Sequence, residues 1–148
     1  MPDLIITSPA NARLKTLVAL RRRRAREEGG VTLIEGYDEL SLALDAGVVP
    51  RTVYFCPELM LHPDVQQDVV TRVRALGAET QQLGRAAFEK VAYREGPDGF
   101  LAVVDAVHAR AVAAGADIVY PLTDEEWGLR RFFVRDPDGA ILNITQHE

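Results

Sequence analysis

The chain has 148 residues, 47% of them hydrophobic and 26% charged, enough for one good core or two small ones and too apolar to be disordered throughout. Arg or Glu interrupts every apolar run well short of bilayer length, and Met1-Pro2-Asp3-Leu4 lacks the basic start and apolar core of a signal peptide, so no membrane association is expected and the expected location is cytoplasmic. Cys56 stands alone, which excludes an internal disulfide framework and a cysteine-rich zinc site. The net charge of −5 is uneven: residues 1–30 hold seven basic and three acidic side chains, and the rest hold 10 basic and 19 acidic. An acidic body with one basic arm suits a localised anionic partner.

In chain order, Ile5-Ile6-Thr7 reads as a short extended segment. Ser8-Pro9 fits an N-cap followed by proline in the first helical turn. Leu14, Leu17, Val18 and Leu20 then form an apolar stripe through a helix running to about Arg26. Val31–Glu35 is strand-like, and Leu40, Leu42, Ala43 and Leu44 mark a helix closed by Gly47. Thr52–Cys56 is a second strand. Val65, Val69, Val70, Val73 and Leu76 recur at helical spacing, with Gly77 as C-terminal cap. Glu79–Leu83 predicts a strand, Arg85–Val91 a helix and Phe100–Val104 a wholly apolar strand. This alternation predicts an α/β fold, an α/β/α sandwich with a largely parallel sheet.

From Asp105 the grammar changes. Val107, Ala111 and Ala114 form one helix, ended by Gly115, and three strands follow at Ile118–Leu122, Arg131–Arg135 and Ile141–Thr145. Asp136-Pro137-Asp138-Gly139 is a strong turn between the last two. The result is an αβββ unit, and no low-complexity linker separates it from what precedes.

The densest chemical feature is Arg21-Arg22-Arg23-Arg24, with Arg26, Arg13 and Lys15 nearby. Successive helical residues point around the axis, so these arginines form a cationic collar rather than one buried face. Such a collar suits several phosphates at once, and the alternative is a solvated helix end favoured by the helix dipole. Glu35-Gly36 lies where a strand meets a helix, where a carboxylate can be catalytic or can hold a neighbouring arginine or cap helix amides. With no partner base in sight, the structural role is the better reading. Tyr93-Arg94-Glu95-Gly96-Pro97-Asp98-Gly99 presents one arginine between acids in a turn-rich loop. His62, His108 and His147 have no metal-ligand spacing and read as surface histidines, and Cys56 reads as a small core residue. No glycine-rich phosphate loop and no nucleophile motif is present.

Three phrases carry a resemblance: Ile6-Thr7-Ser8-Pro9-Ala10-Asn11 with Lys15 and the arginine run; Leu33-Ile34-Glu35-Gly36; and Ala92-Tyr93-Arg94-Glu95-Gly96-Pro97-Asp98-Gly99-Phe100. In this order and separation, residues 4–104 resemble the substrate-recognition domain of SpoU/TrmH-type RNA 2′-O-ribose methyltransferases, a fold like that of ribosomal proteins that bind kink-turn RNA. The resemblance implies RNA contact by Asn11, Arg13, Lys15, Arg21, Arg22, Arg23, Arg24 and Arg26. It places Arg94 near the target nucleotide or the methyltransferase domain. That family continues into a knotted domain that binds S-adenosylmethionine, and these 148 residues do not contain it. Neither catalysis nor a cofactor is therefore expected of them.

Residues 105–148 instead resemble the C-terminal half of a vicinal oxygen chelate protein of the glyoxalase and bleomycin-resistance type. The phrases are Val107-His108-Ala109-Arg110-Ala111, Tyr120-Pro121-Leu122-Thr123-Asp124, Trp127-Gly128 and Phe132-Phe133-Val134-Arg135-Asp136-Pro137-Asp138-Gly139. That family builds each half from a βαβββ module, so the resemblance implies that strand 100–104 is shared between the two parts. Asn143 stands where metal-dependent members carry a terminal glutamate ligand, and no metal is expected.

The chain thus reads as a chimera, natural or made in the laboratory, of an RNA substrate-binding-like domain (1–104) and a half-module (105–148). The leading expectation is a non-catalytic module that binds structured rRNA or tRNA and forms a homodimer through its C-terminal part. The competitor is a small-molecule binder whose cleft, lined by Tyr120, Trp127 and Phe132, lies at the dimer interface. A third reading is a folded chimera with no evolved activity. Salt-sensitive RNA binding marks the first, a ligand-induced melting shift without RNA affinity the second, and neither result the third.

Overall fold

The computed structural model describes residues 4–126 and 128–147. The chain divides into two compact units, Met1–Ala106 and Val107–Glu148. The first unit contains α1 (Ala12–Ala19), α2 (Arg23–Gly29), β1 (Val31–Glu35), α3 (Tyr37–Asp45), β2 (Thr52–Phe55), α4 (Pro63–Gln66), α5 (Asp68–Ala75), β3 (Glu79–Gln82), α6 (Arg85–Val91) and β4 (Phe100–Asp105). Then come α7 (Ala106–Ala113), β5 (Asp117–Glu125), β6 (Leu129–Arg135) and β7 (Ile141–His147).

The helix expected from Ser8 to about Arg26 is two helices. Asn11, not Ser8, caps α1, accepting the Arg13 amide on Oδ1 at 2.9 Å. Ser8 Oγ instead accepts the Ala10 amide, which holds Pro9 in the preceding turn. The helix stops at Leu20, and the Arg26 guanidinium donates 2.8 Å hydrogen bonds to the carbonyls of Leu20 and Arg21 that the break leaves open.

The first sheet has the order β1-β4-β2-β3. β2 and β3 are parallel, but β4 lies antiparallel between β1 and β2. The sheet is therefore mixed rather than largely parallel. The cause is the loop 92–99, tied to the edge where β1 and β2 end: the Tyr93 amide binds Glu35, and the Cys56 amide binds the Gly99 carbonyl. The chain re-enters the sheet from that edge, so β4 must run backwards. Its apolar sequence suits the central position, since Phe100, Leu101, Ala102 and Val104 are all fully buried.

Helices cover both faces. Leu14 and Leu17 of α1 and Ala87, Phe88 and Val91 of α6 pack with Leu101 of β4 into one core, joined by Ile6, Cys56 and Leu83. The other face carries Val53, Phe55, Phe100 and Ala102, with α3 and α5 against it. There the Tyr37 ring meets Phe100 at 5.6 Å, and α3 presents Leu40 and Leu44 one turn apart.

The second unit has its own antiparallel sheet of order β5-β6-β7. Strand 100–104 is not shared with it, because β1 and β2 occupy both hydrogen-bonding edges of β4. In the β6–β7 turn, Asp136 Oδ1 accepts the Ala140 amide at 2.8 Å and Gly139 takes φ +88°. His108 is buried, not a surface residue, its ring set edge-on to Phe132 at 4.9 Å.

Candidate nucleic-acid interface

The arginine run does not act as one collar. Arg21 reaches across to α6 and donates to the carbonyls of Lys90 at 2.6 Å and Ala92 at 3.0 Å, closing the C-terminus of α6. Its guanidinium also sits 5.6 Å from the centroid of the Tyr93 ring, and partial burial raises the Tyr93 pKa. Arg23 and Arg24 form i,i+4 pairs with Glu27 and Glu28 at 2.7 and 2.8 Å. Arg26 is spent on backbone carbonyls.

Lys15, Arg21, Arg22 and Lys90 line an open groove of about 440 Å³ between α1 and the end of α6. Its floor is Leu14, Val18 and Ala19, and among the described residues no acidic side chain lines it. Arg13 lies elsewhere on α1, in a second cleft with Tyr54 and Arg74. Asn11 is occupied as the helix cap. Lys90 was not singled out from the sequence; its position in the last turn of the predicted helix 85–91 was the available signal.

Arg94 is held among three carboxylates. Its guanidinium lies 3.4 Å from Glu39 and from Asp98, and its Nε lies 3.9 Å from Glu35 Oε1. Glu35 also accepts the Tyr93 amide at 2.8 Å, and Asp98 accepts the Tyr37 amide at 2.9 Å, at the start of α3. Glu35 Oε1 and Asp98 Oδ1 are buried without a hydrogen bond; for Glu35 Oε1 the nearby guanidinium supplies charge compensation instead. The cluster thus fixes the loop 92–99 to β1 and α3. Asp98 is one of the acids that the sequence placed around Arg94 in the turn-rich loop, four residues on, whereas Glu39, 55 residues away from Arg94, was not singled out.

On the second sheet, Tyr120 pairs directly with Phe133, and their rings lie 4.9 Å apart. Phe132 points to the opposite side, buried against His108. Tyr120 and Phe132 therefore do not line one cleft, because neighbouring strand residues face opposite ways; Phe133 holds the position expected of Phe132. Trp127 lies outside the described residues. Arg131 spans both rings, 5.8 Å from Tyr120 and 5.2 Å from Phe133, and binds Glu125 at 2.8 Å. Tyr120 donates to the same Glu125 oxygen at 3.0 Å. These two donors hold the Glu125 carboxyl below its ordinary pKa. Asn143 pairs with Phe133 and accepts from the Thr145 hydroxyl at 3.2 Å. Among the described residues, no group of three or more His, Cys, Asp or Glu side chains is placed to hold a metal, and no helix is long and apolar enough to cross a membrane.

The family model of the MRM3-like substrate binding domain matches residues 11–102. The chain belongs to this family. A second model, the glyoxalase/bleomycin resistance protein/dioxygenase superfamily, matches residues 99–144, so that part of the chain is similar to that superfamily and the two matches overlap at residues 99–102, at the start of β4. An RNA 2′-O ribose methyltransferase structure is 27% identical with a TM-score of 0.56, covering 70% of this chain and 38% of its own. The SpoU methyltransferase AviRb from Streptomyces viridochromogenes is 26% identical with a TM-score of 0.50, over 64% and 33%. An rRNA methyltransferase from Sinorhizobium meliloti shares the fold, at 22% identity and a TM-score of 0.58, over 71% and 38%. The chain thus spans about a third of the length of these enzymes. No curated protein matches it. The MRM3-like match lies within the first unit and includes Gly36 and Arg94.

Proposed function

We propose that these 148 residues form a non-catalytic module that binds structured RNA, rRNA or tRNA, in the cytoplasm. The observation that carries this reading is the groove of Lys15, Arg21, Arg22 and Lys90, which concentrates positive charge without an acidic neighbour in its lining on an otherwise acidic protein. Lys15, Arg22 and Lys90 contact phosphates there, while Arg21 shapes the groove by closing α6. Arg23 and Arg24 join by exchanging Glu27 and Glu28 for phosphate, a small sacrifice because exposed i,i+4 pairs are worth only about 0.3–0.5 kcal/mol. Arg94 and Asn11 act one step back, holding the loop 92–99 and the start of α1. The same reading includes a homodimer through residues 107–148, since among the described residues strands β5 and β7 each have only β6 as a sheet neighbour.

The test is fluorescence anisotropy with a structured rRNA fragment over a salt series. The expected result is steep weakening with salt, with the slope of log K against log salt reduced by about 2–3 when Lys15, Arg22 and Lys90 are changed together to Ala. Arg135→Ala, on β6, is the control and leaves the slope unchanged. Absence of binding at about 50 mM salt would overturn the reading.

A further inference from the structure

A second cleft, of about 670 Å³, lies between α1, β2 and β3, and the groove described above does not include it. Its lining includes four hydroxyls, from Thr16, Thr52, Tyr54 and Thr80, two guanidinium groups, from Arg13 and Arg74, and the Glu79 carboxylate. Arg74 is oriented by a 2.8 Å hydrogen bond from its Nε to Thr80 Oγ1. Arg13 and Glu79 thus set a cation and a carboxylate in one cleft. Such a lining suits a monoanion that also carries hydroxyl groups; it suits a dianion poorly, since Glu79 would oppose the second charge.

Tyr54 anchors the cleft to the core. It packs against the cluster that contains Leu14 and Leu17. Burial raises its pKa, with Glu79 acting in the same direction and Arg13 against it. The phenol therefore stays protonated at neutral pH and can donate, with a cation and a carboxylate both near enough to act on it.

We propose that this cleft holds one ribonucleotide step of an RNA strand, with Arg13 on the phosphodiester and Glu79 on the 2′-hydroxyl. A phosphodiester carries a single negative charge for the Arg13 guanidinium to meet. The 2′-hydroxyl is the donor that a carboxylate can accept, and it distinguishes RNA from DNA. The proposal extends the RNA-binding reading and rests on it, but it uses different residues, so the two can fail separately.

The test is a ¹H–¹⁵N NMR titration of the full chain with the dinucleoside monophosphates ApA and its 2′-deoxy counterpart, each with one phosphodiester, and with inorganic phosphate. The expected shifts centre on the amides of Thr52, Tyr54, Glu79 and Thr80, with ApA preferred over the deoxy form by about fivefold, the worth of one hydrogen bond. Glu79→Ala abolishes that preference, and Arg13→Gln weakens both dinucleotides by about tenfold, as for a lost charge-assisted contact. Both positions are exposed, and the comparison on the unaltered chain judges the proposal even if a variant folds poorly. Equal affinity for the two dinucleotides, phosphate binding as tightly as ApA, or shifts confined to other residues would each overturn the cleft. If ApA behaves as expected but Glu79→Ala leaves binding of the rRNA fragment unchanged, the site serves a free ribonucleotide and the strand proposal fails. Loss of fragment binding only on changing Lys15, Arg22 and Lys90, with the ApA pattern intact, likewise sinks the strand assignment. If the fragment does not bind at all, the RNA reading itself falls, whatever ApA does.

Discussion

Gly36 shows what a single residue is asked to do. It enters α3 at φ +113° and ψ 150°, a region that is essentially restricted to glycine. A Cβ there would come within 1.9 Å of Arg94 Nη2 and 2.0 Å of Glu39 Oε2. Gly36→Ala therefore combines backbone strain with displacement of the guanidinium, and is expected to cost about 3 kcal/mol or more in urea unfolding. The arginine run makes the complementary point, that identical neighbours are not equivalent. Arg21 closes two carbonyls of α6 across 69 and 71 residues of sequence, whereas Arg24 pairs with Glu28 on its own helix, its side chain 90% exposed. Arg21→Ala should lower stability by about 1 kcal/mol, and Arg24→Ala by less than about 0.5 kcal/mol. Equal losses in the same urea series would refute that division of labour. The density of positive charge was legible in the sequence, but which arginine bridges to α6 was not, because the break at Leu20–Arg22 rotates Arg21 away from the helical phase that the apolar stripe implied.

At the scale of elements, every strand of the first sheet was legible: β1, β2 and β4 are short apolar or β-branched runs, and β3 is a short polar run set off by Gly77 and Gly84. The direction of β4 was not. Periodicity reports which side chains are buried, whereas direction depends on where the preceding loop is anchored, here by Glu35, Gly99 and Asp98. The second sheet has a similar gap. β5 has register irregularities on both sides of Tyr120, so counting along the strand does not reveal that Tyr120 faces Phe133 rather than Phe132. That pairing creates the Tyr120–Glu125–Arg131 network, with a consequence for pH. Glu125 has a depressed pKa in the folded state because Arg131 and Tyr120 hydrogen-bond to its carboxylate. Its contribution to stability is therefore complete above the ordinary value of about 4.5 and is lost as pH falls through the lower folded value. Carboxyl-carbon NMR should give a Glu125 midpoint below 4.5, and Arg131→Leu should move it upward. An unaltered midpoint in the variant would show that Arg131 is not the cause.

At the scale of the molecule, the two units differ in how much core each contains. The first buries apolar side chains on both faces of a four-stranded sheet. In the second, the buried side chains among the described residues are His108 and Phe132, within a segment of about 40 residues, a size at which a hydrophobic core alone gives little stability. The change from alternating strands and helices to αβββ was visible in the sequence near Val104, and the family matches meet in the same strand. The small core of the second unit was less visible, because Val107, Val119, Ile141 and Leu142 count as apolar in sequence but remain exposed in the fold. If residues 107–148 complete themselves by self-association, their stability is linked by mass action to protein concentration, whereas that of the first unit is not. Hydrogen exchange at about 1 µM and about 100 µM separates these cases, since tighter association at a hundredfold higher concentration adds up to about 2.7 kcal/mol of protection. The β5–β7 amides should exchange markedly more slowly at the higher concentration, while those of β4 and β2 keep the same rates. Concentration-independent exchange in β5–β7 would show that the half-module is stable without a second copy, and the proposed homodimer would fall with it.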